Sequence, residues 1–291
     1  MTPELFARGN LRCGEGPLWD EAHARWLWND LASDLVFEHR GSQTRVLSRD
    51  LMVAGIALHR DANTLVFAGA SGLHLWREGE PLRTLVTHYE GEDLNFNDIL
   101  AAPHGGLYAG TVYWGDEMER FWKLYLFEPG GAVRVVDEGI AHANGLALSP
   151  DDQTLYFADS ATRQILAYDV LPDGDLKNKR VWVQLPLDEG LPDGLTTDSD
   201  GFVWCAQWYS GQVVRYDPDG RVERRVPLPV TQVSSVALGG EDGSQMLITT
   251  AGDPWKSALA PPAYNWDAPC GGDIYRLRAP TPGKLEHRCA L

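Results

Sequence analysis

Four oxygen-bearing side chains stand at matching places in the sequence: Glu15 in "GEGPLW", Asn97 in "FNDIL", Asn144 in "ANGLAL" and Asp193 in "PDGLTT". Each stands directly ahead of an apolar run. Carboxylate and carboxamide oxygens are hard ligands that suit one divalent ion such as Ca²⁺ or Mg²⁺, with Mn²⁺, Fe²⁺ and Zn²⁺ as further candidates. Three or four protein ligands leave positions for water and substrate, which separates a catalytic site from a closed structural one. Taken singly, Asp-Gly and Asn-Gly are turn formers wherever strands begin. Glu15 has no such preference, and recurrence at one register argues for a shared metal site.

The register comes from an internal repeat. A short apolar alternation, a turn with Asp, Pro or Gly, and an aromatic-rich strand recur six times, beginning at Gly16, Gly55, Asp98, Gly145, Gly194 and Val236. Most copies are followed by a further strand and turn, as in "KLYLFEPGG", "QILAYDVLPDG", "QVVRYDPDG" and "DIYRLRA". A period of about 40 to 50 residues with four short strands per unit is the signature of a β-propeller blade. The expected fold is therefore all-β: one six-bladed β-propeller over residues 1–291, with four-stranded antiparallel blades around a central channel. The residue just before each first strand would then be Glu15, Ala54, Asn97, Asn144, Asp193 and Ser235, forming a ring at one channel mouth. Residues near 4 to 12 are expected beside the C-terminal "LEHRCAL", since such rings close by pairing both chain ends.

Register also separates the two Asp-Gly pairs of "LPDGLTTDSDGFVW". Asp200-Gly201 falls in the hairpin slot shared with "PHGG" and "GEDG", whereas Asp193-Gly194 falls in the slot of Glu15, Asn97 and Asn144. Two long connections exceed the basic blade, "YWGDEMERFW" and "GDPWKSALAPPAYNWDAPCGG", and connections of this length often carry binding loops. From their loop or strand-end positions Trp114, Trp255 and Trp266 are candidates to wall the mouth, while Trp208 is expected to pack between blades. His142, two residues before Asn144, is read as a structural histidine flanking a strand rather than a base.

Composition narrows the partners. A net charge of −16 with no Lys/Arg cluster repels a polyanion, which excludes nucleic acid as a natural ligand. No basic-then-apolar leader and no run of about 18 apolar residues is present, so a cytoplasmic protein without membrane association is expected, monomeric or weakly dimeric. Cys13, Cys205, Cys270 and Cys289 lie far apart without a CxxC pair and read as free thiols, with a Cys13 to Cys289 pair conceivable if the chain ends meet. There is no GxSxG, HExxH or GxxxxGK[ST], so serine hydrolase, zincin and nucleotide chemistry lack their parts.

Five motifs in order, "GEGPLW", "FNDILAAPHGGLYAGT", "ANGLALSPDDQTLYFADS", "PDGLTTDSDGFVWCAQWYSGQVVRYDPDG" and "VPLPVTQVSSVALGG", make the chain resemble the senescence marker protein (regucalcin)/gluconolactonase family of six-bladed, metal-dependent hydrolases. The resemblance implies that Glu15, Asn144 and Asp193 are metal ligands, that Asn97 contacts substrate or metal, and that Asp193 or a neighbouring carboxylate assists the attacking water. It implies a small lactone as substrate. Phosphotriester hydrolysis and a non-catalytic calcium-binding propeller stand as alternatives. Trp114 and Asn95 are assigned to substrate. Sugar-lactone members carry Arg where this chain has Asn95, so the grip on sugar oxygens is not carried over, and the family's acidic residue after Gly-Thr has only Asp116 and Glu117 nearby.

Overall fold

Strand periodicity decides the architecture. A computed structural model describes residues 1–112 and 122–291. Among them, six four-stranded antiparallel sheets follow one another along the chain, and the first strand of each lies innermost. These inner strands are Gly14–Asp20, Gly55–Leu58, Phe96–Ala101, Ala143–Leu148, Leu191–Thr197 and Val233–Gly239. They surround the channel of a six-bladed β-propeller, as the repeat predicts. No helix among the described residues is long and apolar enough to cross a membrane.

Burial explains the blade pattern. The inner two strands are buried on both faces, as in Leu191–Thr197 and Val203–Trp208, because each is covered by both neighbouring blades. The outermost strands, such as Leu176–Gln184 and Val222–Pro227, are largely exposed. Six apolar clusters fill the gaps between consecutive blades, for example Tyr108, Leu124, Leu146 and Phe157 between the third and fourth. Trp28 and Trp204 are wholly buried in such gaps, each burial contributing about 2–3 kcal/mol.

Two expectations are corrected. The ring closes by pairing Glu4–Ala7 with Ile274–Arg278, not with "LEHRCAL": the N-terminal strand becomes the fourth strand of the sixth blade. The C-terminal segment instead crosses the face opposite the oxygen ring. There Cys289 bridges His59, the Ala290 amide donates to Gly105, His287 meets Asp152 at 2.9 Å and Arg288 meets Glu21 at 2.9 Å. That path takes Cys289 away from Cys13, and all four cysteines are free.

The second correction concerns the ring residues. Glu15, Asn97, Asn144, Asp193 and Ser235 lie inside their inner strands, not before them, and each sits at a break in register with the second strand. Only the second blade, with Ala54 ahead of its strand, pairs without a break. A β-bulge inserts an unpaired residue and re-aims its side chain. Asn97, Asn144 and Asp193 are themselves unpaired within the break, while Glu15 and Ser235 border it, paired with Asn29 and Thr249. Asp200-Gly201 forms the expected hairpin turn, Gly201 at φ +84° donating its amide to the Asp198 carbonyl at 3.0 Å.

Candidate metal centre

Inner strands from four blades bring Glu15, Asn97, Asn144 and Asp193 to one pocket at the channel mouth. All four are buried. What lets the strands approach so closely is the residue after the ligand. A Cβ on Gly194 would lie 1.9 Å from the Ser235 hydroxyl, and one on Gly145 would lie 2.4 Å from the Leu195 amide nitrogen. Gly at these places answers to backbone packing between blades.

In two blades the supporting hydrogen bonds come from the Asp that ends the second strand. The Asp159 carboxylate accepts from the amides of Ala141 and His142, at 3.1 and 2.9 Å, just ahead of Asn144. The Asp30 carboxylate accepts from Arg12 and Cys13, at 3.0 and 2.9 Å, just ahead of Glu15. Two blades thus use one device to fix the approach of a ligand.

Amide orientation follows from the same network. Ser160 Oγ donates to the Pro192 carbonyl at 2.7 Å, so it can only accept from Asn144, whose Nδ2 lies 3.1 Å away. The Asn144 Oδ1 is left for the pocket. Asn97 Nδ2 donates to the Ala143 carbonyl at 2.9 Å and likewise leaves its oxygen free. Asp193 Oδ1 is buried without any hydrogen-bond partner, and Glu15 accepts only a 3.3 Å bond from Gly16. Buried carboxylate oxygens without donors are costly unless a cation meets them.

Electrostatics point the same way. Burial above all, then Asp193 and Asp98, pushes the Glu15 carboxyl well up. Asp193 is raised by burial and Asp98, with the Asn144 amide and Gly194 pulling it partly back. Desolvation in the channel raises Asp98 to about 7. A divalent ion relieves this crowding of like charge, so the residues present fit such a group. Among the described residues no three His, Cys, Asp or Glu gather as a metal cluster; here two carboxylates are completed by carboxamides.

Other expectations resolve residue by residue. His142 lines the pocket, its pKa lowered chiefly by burial. Trp208 lines the pocket while also packing where the fifth, sixth and first blades meet, with Leu191, Ala251 and Leu31; Trp255 lines the pocket too. Trp266 stands behind them, edge-on to Tyr264 at 4.7 Å. Asn95 precedes the third inner strand, accepts from the Val112 amide, and is not among the residues lining the pocket. Trp114, Asp116 and Glu117 lie outside the described residues. Sequence reasoning did not single out Ser160, Asp30, Asp159, Tyr209 or Leu259. The Asp at the end of "WLWND" and "LYFAD" was the available signal. Cys13 also borders the pocket, but burial, then Glu15 and Asp193, keep its thiol protonated.

The chain is similar to known proteins. The family described as "SMP-30/Gluconolactonase/LRE-like region" matches residues 13–252. Pentonolactonase XacC of Haloferax volcanii is 30% identical over 99% of this chain and 98% of its own. Regucalcin of Gallus gallus is 31% identical over 86% of this chain and 87% of its own. A solved luciferin-regenerating enzyme superposes with a TM-score of 0.88 at 22% identity, covering 99% of this chain and 100% of that one, which is a likeness of fold.

Proposed function

The chain belongs to the SMP-30/gluconolactonase/LRE-like family, and from that premise we propose that it is a divalent-metal-dependent hydrolase that opens a lactone ring. The observation that carries the reading is Asp193 Oδ1, a buried carboxylate oxygen with no donor, facing a pocket whose other floor groups are Glu15, Asn97 and Asn144. The kinship with a pentonolactonase supports the reaction class.

Glu15, Asn144 and Asp193 would hold the ion, and Asn97 would hold substrate or complete the ligand set. When bound, the ion supplies positive charge that polarises the ring carbonyl and neutralises the developing oxyanion. The chain does the rest. Asp193, whose proton affinity burial raises, accepts a proton from the attacking water and returns it to the leaving alkoxide. Ser160 accepts from the Asn144 NH₂, which also reaches Asp193, and so leaves the Asn144 oxygen as the end without a protein partner. The carboxamides add ligand oxygens without more negative charge, which keeps the site attractive to an electron-rich carbonyl.

Removing divalent ions with a chelator, restoring them singly and following acid release from a panel of lactones tests the proposal. Acid release that depends on one ion is the expected result. A folded protein that releases none with any ion sinks it, and cleavage of aryl phosphotriesters alone would replace it with the phosphorus-ester reading.

A further inference from the structure

Above the oxygen floor the pocket wall is apolar. Leu31 comes from the first blade, Leu191, Trp208 and Tyr209 from the fifth, and Trp255 and Leu259 from the long connection of the sixth. The core cluster at this mouth joins five of these side chains to Cys13 and Tyr264. Among the described residues no Lys or Arg lines the pocket.

The wall is built, not draped. Gln232 grips the connection at both ends of its amide: Nε2 donates to the carbonyls of Ala251 and Asp253 at 3.0 and 2.8 Å, and Oε1 accepts from the Trp255 amide at 2.9 Å. Tyr209, held at φ +73°, donates its hydroxyl to the Trp255 carbonyl at 2.6 Å. Arg163 donates to the carbonyls of Leu259, Glu189 and Gly190, tying the connection to the fifth blade. Trp208 and Trp255 meet edge to face at 5.9 Å. A non-glycine residue kept at positive φ is a conformation that surrounding structure must enforce.

Polar partners for a substrate are few. The Ser160 hydroxyl and the Asn97 and Asn144 amide nitrogens are engaged inside the protein, so among the described lining residues a ring hydroxyl is left the His142 imidazole, the Ser257 hydroxyl and the floor oxygens. We propose that the pocket selects a neutral lactone whose ring carries an alkyl or aryl substituent, against a polyhydroxylated lactone, with Trp208, Trp255 and Leu259 setting the preference. This rests on the lactonase reading for its turnover, not for its binding. Polar groups buried without partners discriminate strongly against a ligand, whereas methylene-sized fits in an apolar pocket are each worth about 10- to 200-fold.

The test compares two δ-lactones, one with a pentyl substituent and one bearing the hydroxyls of glucono-1,5-lactone. The protein is loaded with Ca²⁺, Mg²⁺, Mn²⁺ or Zn²⁺ in turn. The pentyl lactone should show a kcat/KM at least about 10-fold higher. Calorimetric binding of the two matching lactams, which resist hydrolysis, should show the same order. Tighter or equal binding of the polyhydroxylated lactam overturns the inference, even if both lactones are cleaved. Absence of acid release from either lactone with the binding order intact overturns the lactonase reading alone. Trp255 is 45% exposed and its loop is anchored through backbone atoms, so Trp255→Ala keeps the fold. It should lower the kcat/KM ratio of pentyl to unsubstituted δ-lactone about 10-fold, mainly through KM; an unmoved ratio counts against the assignment.

Discussion

Ser160 accepts a hydrogen bond from the Nδ2 of Asn144 at 3.1 Å and donates its own to the Pro192 carbonyl at 2.7 Å. One hydroxyl therefore fixes which end of a carboxamide is left as a free acceptor and, through Pro192, steadies the strand that carries Asp193. Ser160→Ala removes both constraints without touching the floor. Partners of this kind are worth about 10- to 100-fold in metal affinity. The variant should need that much more metal for half-maximal activity and recover most of its kcat at saturation. Titration of activity against free metal checks this, and an unchanged midpoint contradicts it.

Asp193 carries two roles, ligand and proton acceptor, so Asp193→Asn should lower turnover by at least about 100-fold, the lower end of what general base catalysis contributes. Stability should not fall with it. In chelator the variant should melt at or above the parent, because one of several crowded carboxyls has been made neutral. Rates and melting curves on the same preparation decide the matter; a fully active variant means that Asp193 is a turn former after all.

A pH dependence follows from the raised carboxyls. Asp98, Glu15 and Asp193 all lie above their ordinary values, first through desolvation. A carboxyl whose folded pKa exceeds its unfolded value near 3.9 binds protons more tightly in the native state. Its contribution is fully present below the unfolded value and is lost as pH rises through the folded one, about 7 for Asp98. Metal-free protein should thus melt progressively lower from about pH 5 to about pH 8. Saturating metal should flatten the slope, since the ion takes the ionised carboxylates, and metal affinity should rise with pH. Parallel melting profiles with and without metal would contradict this.

Gly194 is the sharpest steric requirement in the ring. Its missing Cβ leaves room for the hydroxyl, Cβ and Cα of Ser235 on the next blade, at 1.9, 2.5 and 2.6 Å from where that atom would stand. Its φ is not among the positive ones, so the demand is for space. Gly194→Ala should cost about 3 kcal/mol by overpacking, read as a lower urea midpoint. Ser235→Gly in the same chain should recover part of it, and a Gly194→Ala variant as stable as the parent would show that the blades can part freely.

Much of this was legible in the residues. The six copies put Glu15, Asn97, Asn144 and Asp193 at one register, and a propeller turns one register into one mouth. Less legible was how they aim inward. A bulge changes pairing without changing spacing, so Asp193 reads equally well before its strand or within it. Partnership across strands hid Asp159 and Ser160, whose value depends on which amides they face. Aromatic content announced a wall, but Trp208 both packs between blades and lines the pocket while Trp266 stands behind it, because orientation at a strand end depends on the neighbouring connection. The C-terminal path was the least readable: it is held by backbone bonds and ion pairs to Asp152 and Glu21, which leave no hydrophobic period.

The closure between Glu4–Ala7 and Ile274–Arg278 also sets an order in time. Gly9 finds its partner Asp273 only across 264 residues of chain. At about 5–20 residues per second of synthesis, the N-terminal strand waits on the order of tens of seconds as an unpaired edge. During that interval five blades can form while the sixth lacks its outer strand, and the ring stays a horseshoe. Assembly of the mouth, which needs Glu15 from one end of that horseshoe and the Trp255 connection from the other, is therefore a late event on the ribosome's clock.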